Sequence, residues 1–331
     1  MGRRMLPPGT RIKGKWSNLS LDVVKLLGEG ANGAVYLVHT SRGRAAMKVC
    51  ATAQDAAMEW GLLERAGKLC PRFPTPIAID DGTEPSGLYF YVMESVPGRP
   101  LQDVVPTLGS ADARLTLKQA LQGLAVLHRT GYAFCDVKPE NLLVAVTPHL
   151  DVRFVDVGGV TAFGRSVRQF TPIYDRGFWG LGNRQADAAY DVAAIALVWL
   201  FTNGSKPPNS VFQQSVSERQ DWLLKAVRRH GDSALCAWLV EALTGQIRDA
   251  EDALLRLATV PVTTRRSRSS APHKPAANAA ASAPVSTPAP RRKAGARRSA
   301  VKSRRDWSEW LMWLSLGTAA VMAVAAWGQL L

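Results

Sequence analysis

The apolar and polar positions of the chain fall into three zones. Residues 1–261 alternate strand-like and helix-like patterns. Ala34-Val35-Tyr36-Leu37-Val38 is a β-rich run, Ser41-Arg42-Gly43 a turn, and Ala45-Ala46-Met47-Lys48-Val49 a second strand. A helical segment follows, in which Glu59 is trailed by Leu62 and Leu63 at helical spacing. Later, Val152-Arg153-Phe154-Val155 forms an apolar strand that stops at Asp156-Val157-Gly158-Gly159. A compact stretch around Trp222 to Leu257 closes the zone near residue 258. Residues 262–305 are mostly Ala, Pro, Ser and Arg, with almost no aliphatic bulk. Such a segment cannot bury enough surface to offset its backbone entropy, so a disordered, self-repelling linker is predicted. Residues 310–331 carry no charge at all.

That last zone predicts a transmembrane helix. Its 22 residues would span about 33 Å at 1.5 Å per residue, close to the roughly 30 Å hydrocarbon core. Trp307, Trp310 and Trp313 cluster at one end and Trp327 lies near the other, like an aromatic belt. A buried amphipathic helix would need a polar face, and none exists. The basic run before it, with Arg304 and Arg305, should stay cytoplasmic. The N-terminus lacks an apolar stretch, so no signal peptide is expected. Leu6 breaks the myristoylation pattern after Met1-Gly2. The expectation is therefore a C-terminal tail anchor in the cell membrane, with the folded part in the cytoplasm. Ser315, Ala319 and Ala323 place small residues on one face, through which two copies could pair as a homodimer.

Charge changes this picture less than its total implies. The net charge of +14 looks like a nucleic-acid binder until it is mapped. Residues 262–305 hold twelve Lys or Arg and no acid, and Asp306 and Glu309 subtract two, which leaves +4 for residues 1–261. That is an ordinary balance for a soluble enzyme domain. A juxtamembrane basic run is read most simply as contacting anionic lipid, with no specific nucleic acid. Cys50, Cys70, Cys135 and Cys236 are too scattered for a disulfide framework or a zinc site.

The first chemical signal is Leu27-Gly28-Glu29-Gly30-Ala31-Asn32-Gly33-Ala34-Val35-Tyr36, a GxGxxGxV pattern. Glycines let backbone N–H groups approach phosphates with no Cβ in the way. A dinucleotide-binding glycine turn opens a helix. Here a β-rich run follows, which makes a hairpin lid. Lys48 then sits inside an apolar strand, costly unless its ammonium meets an anion. Glu59 is the favoured ion-pair partner, and Glu64 five residues on is the rival.

The second signal is Tyr132-Ala-Phe-Cys-Asp-Val-Lys-Pro-Glu-Asn-Leu-Leu143. Asp136 can orient a hydroxyl nucleophile, Lys138 can neutralise a transferring phosphoryl, and Asn141 can ligate Mg²⁺. Asp156 at its strand end is placed to be a second metal ligand.

These residues resemble the eukaryotic-like (Hanks-type) Ser/Thr protein kinases found in many bacteria, over roughly residues 16–258. Gly28-x-Gly30-x-x-Gly33-x-Val35 resembles the Gly-rich loop, and Ala46-Met47-Lys48 the VAIK lysine. Met93-Glu94-Ser95-Val96 resembles the gatekeeper and adenine hinge, Phe134-Cys135-Asp136-Val137-Lys138-Pro139-Glu140-Asn141 resembles HRDLKPEN, and Asp156-Val157-Gly158 resembles DFG. The resemblance implies an α+β fold, a small β-rich lobe over a helical lobe, with ATP in the cleft. It implies ATP and Mg²⁺ as cofactors and a protein as substrate. Lys48 would hold the α/β-phosphates, Asp136 accept the substrate proton, Lys138 contact the γ-phosphate, and Asn141 and Asp156 hold Mg²⁺. Thr171-Pro172-Ile173-Tyr174 resembles the TPxY of substrate docking, with the Thr171 hydroxyl on Asp136 and Lys138. Asp191 resembles the helix aspartate that braces the catalytic loop.

Several positions depart from the family pattern. Cys135 replaces the HRD arginine, Phe134 its histidine, and Val157 the DFG phenylalanine. No APE follows Thr171; the chain runs Asp175-Arg176-Gly177-Phe178. The stretch from Asp156 to Thr171 is short, with Thr161 and Ser166 as its hydroxyl residues and Arg165 and Arg168 as its cations. None of these changes removes a group that touches ATP, metal or nucleophile. The expectation is an active kinase that does not need activation-loop phosphorylation. The rival readings are a pseudokinase scaffold, which would not need Lys48, Asp136, Asn141 and Asp156 together, and a small-molecule kinase, against which Lys138 argues.

Overall fold

A computed structural model of the protein describes residues 5–30, 33–204 and 206–262. The N-terminal part is an antiparallel barrel. Its strands are β1 (Arg11–Gly14), β2 (Ser20–Gly30), β3 (Gly33–Thr40), β4 (Gly43–Cys50), β5 (Pro76–Glu84) and β6 (Ser86–Glu94), in the order β1-β2-β3-β4-β6-β5. Strand β1 closes it by pairing with both β2 and β5. The folded body thus extends N-terminal of the residue-16 boundary expected from sequence. Alternation supplies the barrel core: Ile12, Leu21, Val23, Tyr36, Val38, Met47, Phe90 and Val92 are all buried.

Between β4 and β5 runs α1 (Ala53–Leu69). Thr52 caps it by accepting a hydrogen bond from the Asp55 N–H at 3.1 Å. Its buried stripe is Ala56, Glu59, Leu63 and Ala66, three apolar residues and one carboxylate.

The C-terminal part is mostly helical. It begins with β7 (Arg99–Pro100), α2 (Leu101–Val104) and α3 (Ser110–Arg129). Four short strands carry the loops above α3: β8 (Tyr132–Ala133), β9 (Leu142–Ala145), β10 (Asp151–Phe154) and β11 (Thr161–Ala162). They pair as β10-β9-β7 and β11-β8. Then follow α4 (Ala188–Thr202), α5 (Val216–Arg228), α6 (Ser233–Leu243) and α7 (Ala250–Thr259). Helix α4 is apolar on every side, and its residues from Tyr190 to Thr202 are all buried, as a helix without a polar face must be. The main core joins α3, α4, α6 and α7 to the floor of the loops through Phe134, Phe154 and Val157.

The expected linker and transmembrane helix lie outside the described residues. Among the described residues no helix is long and apolar enough to cross a membrane.

Candidate active site

The glycine hairpin forms the site's roof. Across β2 and β3, Gly28 pairs with Val35, Glu29 with Ala34, and Gly30 with Gly33. Gly33 has φ +150°, and a Cβ there would run into the Val49 carbonyl. A Cβ at Gly28 or Gly30 would meet nothing within 4 Å, so these two keep space open rather than relieve a clash. Leu27 is half-exposed at the roof's start. Val35 is the cross-strand partner of Lys48, and Ala46 that of Met93, so these residues share one patch of sheet.

Lys48 is 3% exposed. Its ammonium lies 2.7 Å from Glu59 Oε2 and 2.7 Å from Asp156 Oδ1. The rival Glu64 instead pairs with Lys68 on the outside of α1, at 2.9 Å. Tyr91 donates its phenol to Glu59 Oε2 at 2.9 Å. Burial alone would pull the Lys48 pKa down, but Asp156 and Glu59 outweigh it and hold it above the ordinary lysine value. Burial pushes Glu59 up, with Lys48 offsetting only part. Asp156 behaves oppositely: burial would raise it, yet Lys48 draws it below the usual carboxylate range. A charged lysine against an ionised Asp156 is what an anion-binding site with a metal ligand requires. Asp156 reaches this pose from the left-handed region, φ 61°, with Oδ1 also accepting the Gly158 N–H at 3.3 Å.

Asp136, 3% exposed, is ringed by donors. Its Oδ2 accepts from Lys138 Nζ at 2.7 Å, Asn141 Nδ2 at 3.1 Å and Gln169 Nε2 at 3.3 Å. Its Oδ1 accepts from the Thr171 hydroxyl at 3.5 Å. Thr171 thus lies against Asp136, and Lys138 directs its ammonium to Asp136 as well. Asn141 also donates to the Asp136 carbonyl at 2.9 Å, which commits its nitrogen and leaves Oδ1 as the atom for a cation.

The loop below is held by Asp191, which is fully buried on α4. It accepts the Phe134 N–H at 2.6 Å, the Cys135 N–H at 2.8 Å and His128 Nε2 at 3.1 Å. His128 Nδ1 accepts from the Ala250 N–H at 3.2 Å, so the ring proton belongs on Nε2, facing Asp191. Cys135 is buried at φ 63°, and burial pushes its thiol pKa up. It carries no cation into the loop.

At the hinge, Met93 is buried. The Glu94 side chain is committed elsewhere: Arg153 and the Thr75 N–H and hydroxyl take its carboxylate.

Residues 21–219, more than half of the chain, match the protein kinase domain family. The chain belongs to the protein kinase family. The kinase is 39% identical over 200 residues to the serine/threonine-protein kinase YabT of Bacillus subtilis, a match covering 59% of each chain. It is 29% identical over 223 residues to serine/threonine-protein kinase F of Synechocystis, covering 57% of this chain and 44% of that one. The kinase thus spans under two thirds of the length of these curated relatives. Among solved structures, vaccinia related kinase 3 shares the fold, with a TM-score of 0.54, 16% identity, and coverage of 78% of this chain and 94% of the other.

Where the kinase lacks APE, Asp175 braces the segment. It is fully buried and takes Arg184 Nε at 2.7 Å, the Tyr190 hydroxyl at 2.9 Å and the Phe178 N–H at 2.9 Å. Arg176 next to it grips Asp187 with both terminal nitrogens, at 2.8 and 2.7 Å. Thr161 is buried with its hydroxyl on the Gly159 carbonyl at 2.8 Å, so it is a packing residue and no open phosphorylation site. Sequence reasoning passed over Tyr91, His128, Arg153 and Gln169. Strand alternation puts Tyr91 on the face opposite the barrel core of Phe90 and Val92, together with Lys48, its cross-strand partner. The other three pairings join distant segments and leave no local signal.

The residues fit Mg²⁺-ATP. The Asp156 carboxylate beside the Lys48 ammonium and Asn141 Oδ1 beside Asp136 are both oxygen ligands of the kind Mg²⁺ takes. Among the described residues no group of three or more His, Cys, Asp or Glu could hold a metal by itself. Mg²⁺ needs only one or two protein ligands when substrate phosphates supply others.

Proposed function

We propose that this kinase transfers the γ-phosphoryl group of ATP to Ser or Thr hydroxyls of protein substrates. The observation that carries the reading is the joined constellation: Lys48 bridged to Glu59 and Asp156 on one side, Asp136 ringed by Lys138, Asn141 and Thr171 on the other. The names of the bacterial relatives support Ser/Thr specificity. In this reading the glycine hairpin covers the phosphates and Lys48 holds them. Asp136 orients the acceptor hydroxyl and takes its proton as oxygen bonds to phosphorus and ADP leaves. Lys138 follows the phosphoryl charge. Asn141 and Asp156 would hold Mg²⁺, which would supply charge neutralisation.

The reading includes a segment set without phosphate. Cys135 offers no cation, and Arg168 instead bridges outward, donating to the Val160 carbonyl at 2.9 Å and to Met58 Sδ of α1 at 2.8 Å. Residues 164–167 are also stitched to 184–186 by backbone bonds of 2.7–2.9 Å, from Gly164 N to Ala186 O, Val167 N to Arg184 O and Ala186 N to Arg165 O. The uncharged tail supports a membrane anchor, and the basic linker supports contact with anionic lipid.

The test is the full chain with labelled ATP and Mg²⁺, scored for label on itself and on a generic basic protein. Asp136→Asn should lower turnover by orders of magnitude with ATP affinity nearly unchanged, whereas Asp156→Asn should weaken both. Unchanged turnover in Asp136→Asn would sink the assignment.

A further inference from the structure

Lys48 and Tyr91 stand side by side on neighbouring strands. They are register partners of β4 and β6, on the face away from the barrel core, and both are buried. Their polar ends meet on one atom. Glu59 Oε2 lies 2.7 Å from the Lys48 ammonium and accepts the Tyr91 hydroxyl at 2.9 Å. The phenol ring also tilts against Trp60, the residue after Glu59 on α1, with ring centroids 6.4 Å apart. Burial and the nearby Glu59 charge push the Tyr91 pKa well up, so its hydroxyl keeps its proton and stays a donor.

The second donor matters because Lys48 has other claims on it. Glu59 is 1% exposed, and a buried carboxylate short of partners is costly. Lys48 has three protons to share, and Glu59 and Asp156 both draw on them. In the proposed reaction phosphate oxygens draw on the same ammonium. Tyr91 has no part in that contact, so its bond to Glu59 persists through it. Without that bond, the inward seat of Glu59 would rest on the very group that must also hold phosphate.

We propose that the Tyr91 hydroxyl is a latch on Glu59: it keeps the carboxylate, and α1 with it, turned in to Lys48, so that Lys48 stays aimed at the phosphates. This rests on the reading of Lys48 as the phosphate ligand. Tyr91 touches neither nucleotide nor acceptor in this scheme, and it is a positioning residue. The latch works from the barrel wall and needs no phosphate on the segment after Asp156.

The experiment uses the full chain, with Mg²⁺-ATP and adenosine as probes in titration calorimetry. Adenosine carries the base and the sugar and lacks the phosphates. Tyr91→Phe removes the hydroxyl and keeps the ring. It should weaken ATP binding about three- to thirtyfold, part of the worth of one hydrogen bond to a charged group. Adenosine binding should stay within about twofold. In steady state the loss should fall on kcat and the KM for ATP, with the KM for histones within about twofold. In a Glu59→Ala background the same change should cost less than about twofold, because the latch has nothing to hold. Equal losses of ATP and adenosine affinity, or a full loss of ATP affinity that persists beside Glu59→Ala, would make Tyr91 a packing residue and overturn the latch. Unchanged ATP affinity in Tyr91→Phe, where Lys48→Ala loses it, overturns the latch alone. Unchanged ATP affinity in Lys48→Ala overturns the phosphate reading of Lys48 and the latch together.

Discussion

Arg153 grips Glu94 with both terminal guanidinium nitrogens, Nη1 to Oε1 at 3.1 Å and Nη2 to Oε2 at 2.8 Å. The pair ties the end of β6, where the hinge begins, to β10, three residues before Asp156. Nη2 also caps the Phe73 carbonyl at 3.0 Å. One residue therefore fastens the end of β6 to the strand that leads into Asp156. The Glu94 pKa reflects this: burial would raise it, but the bonds from Arg153 and Thr75 hold it below the ordinary value.

Breaking that tie should destabilise the kinase domain. Arg153→Met leaves a half-buried carboxylate and a carbonyl without their partner, a loss of about 1–3 kcal/mol. The double variant with Glu94→Gln should lose clearly less than the sum of the two singles, since they share one interaction. Urea unfolding of all four proteins checks this, and additive losses would show that the pair is not coupled.

Activity should begin without a lag. Ser166 is exposed and Cys135 carries no charge to receive a phosphate there. Ser166→Ala should leave the initial rate within about threefold, with protein never exposed to ATP beforehand. A lag that pre-incubation with ATP abolishes and phosphatase restores would overturn this prediction.

Truncation after residue 306 should release the kinase from membranes with its activity intact. The full chain should sediment with vesicles, and more tightly when they contain anionic lipid, at about 1 kcal/mol for each nearby Lys or Arg. A truncated protein that still behaves as an integral membrane component would rule out the tail anchor.

Acid should loosen the barrel's entry. Asp80, 3% exposed, accepts the Trp16 N–H at 2.9 Å, the Ser17 N–H at 2.8 Å and the Asp81 N–H at 2.8 Å, as well as the Ser17 hydroxyl. Burial would raise its pKa, yet these donors lower it. A lowered folded-state pKa means stability that is present above the unfolded value and lost as pH falls through the folded one. Asp80→Asn should thus cost about 1–3 kcal/mol at neutral pH, and the gap should narrow below about pH 4. Thermal melts of both proteins across pH test it; a gap that widens in acid would contradict the assignment.

The sequence by itself determined what depends on neighbours along the chain. The glycine hairpin, Lys48 in its apolar strand, the Asp136–Lys138–Asn141 spacing and Asp156 at a strand end are each written within a few residues, because turn geometry and strand period are local properties. The choice between Glu59 and Glu64 was not local. Both sit on α1, and only the packing of that helix against the barrel turns Glu59 inward to Lys48 and Glu64 outward to Lys68. The start of the domain was likewise hidden, since β1 is a strand only through its partners β2 and β5. The replacement of APE by Asp175 and Arg184, the hinge tie from Arg153 to Glu94, and Gln169 over Asp136 all join residues from separate segments. Such pairings carry no period and no spacing. They exist only once the core of α3, α4 and the loops has brought those segments within hydrogen-bond reach.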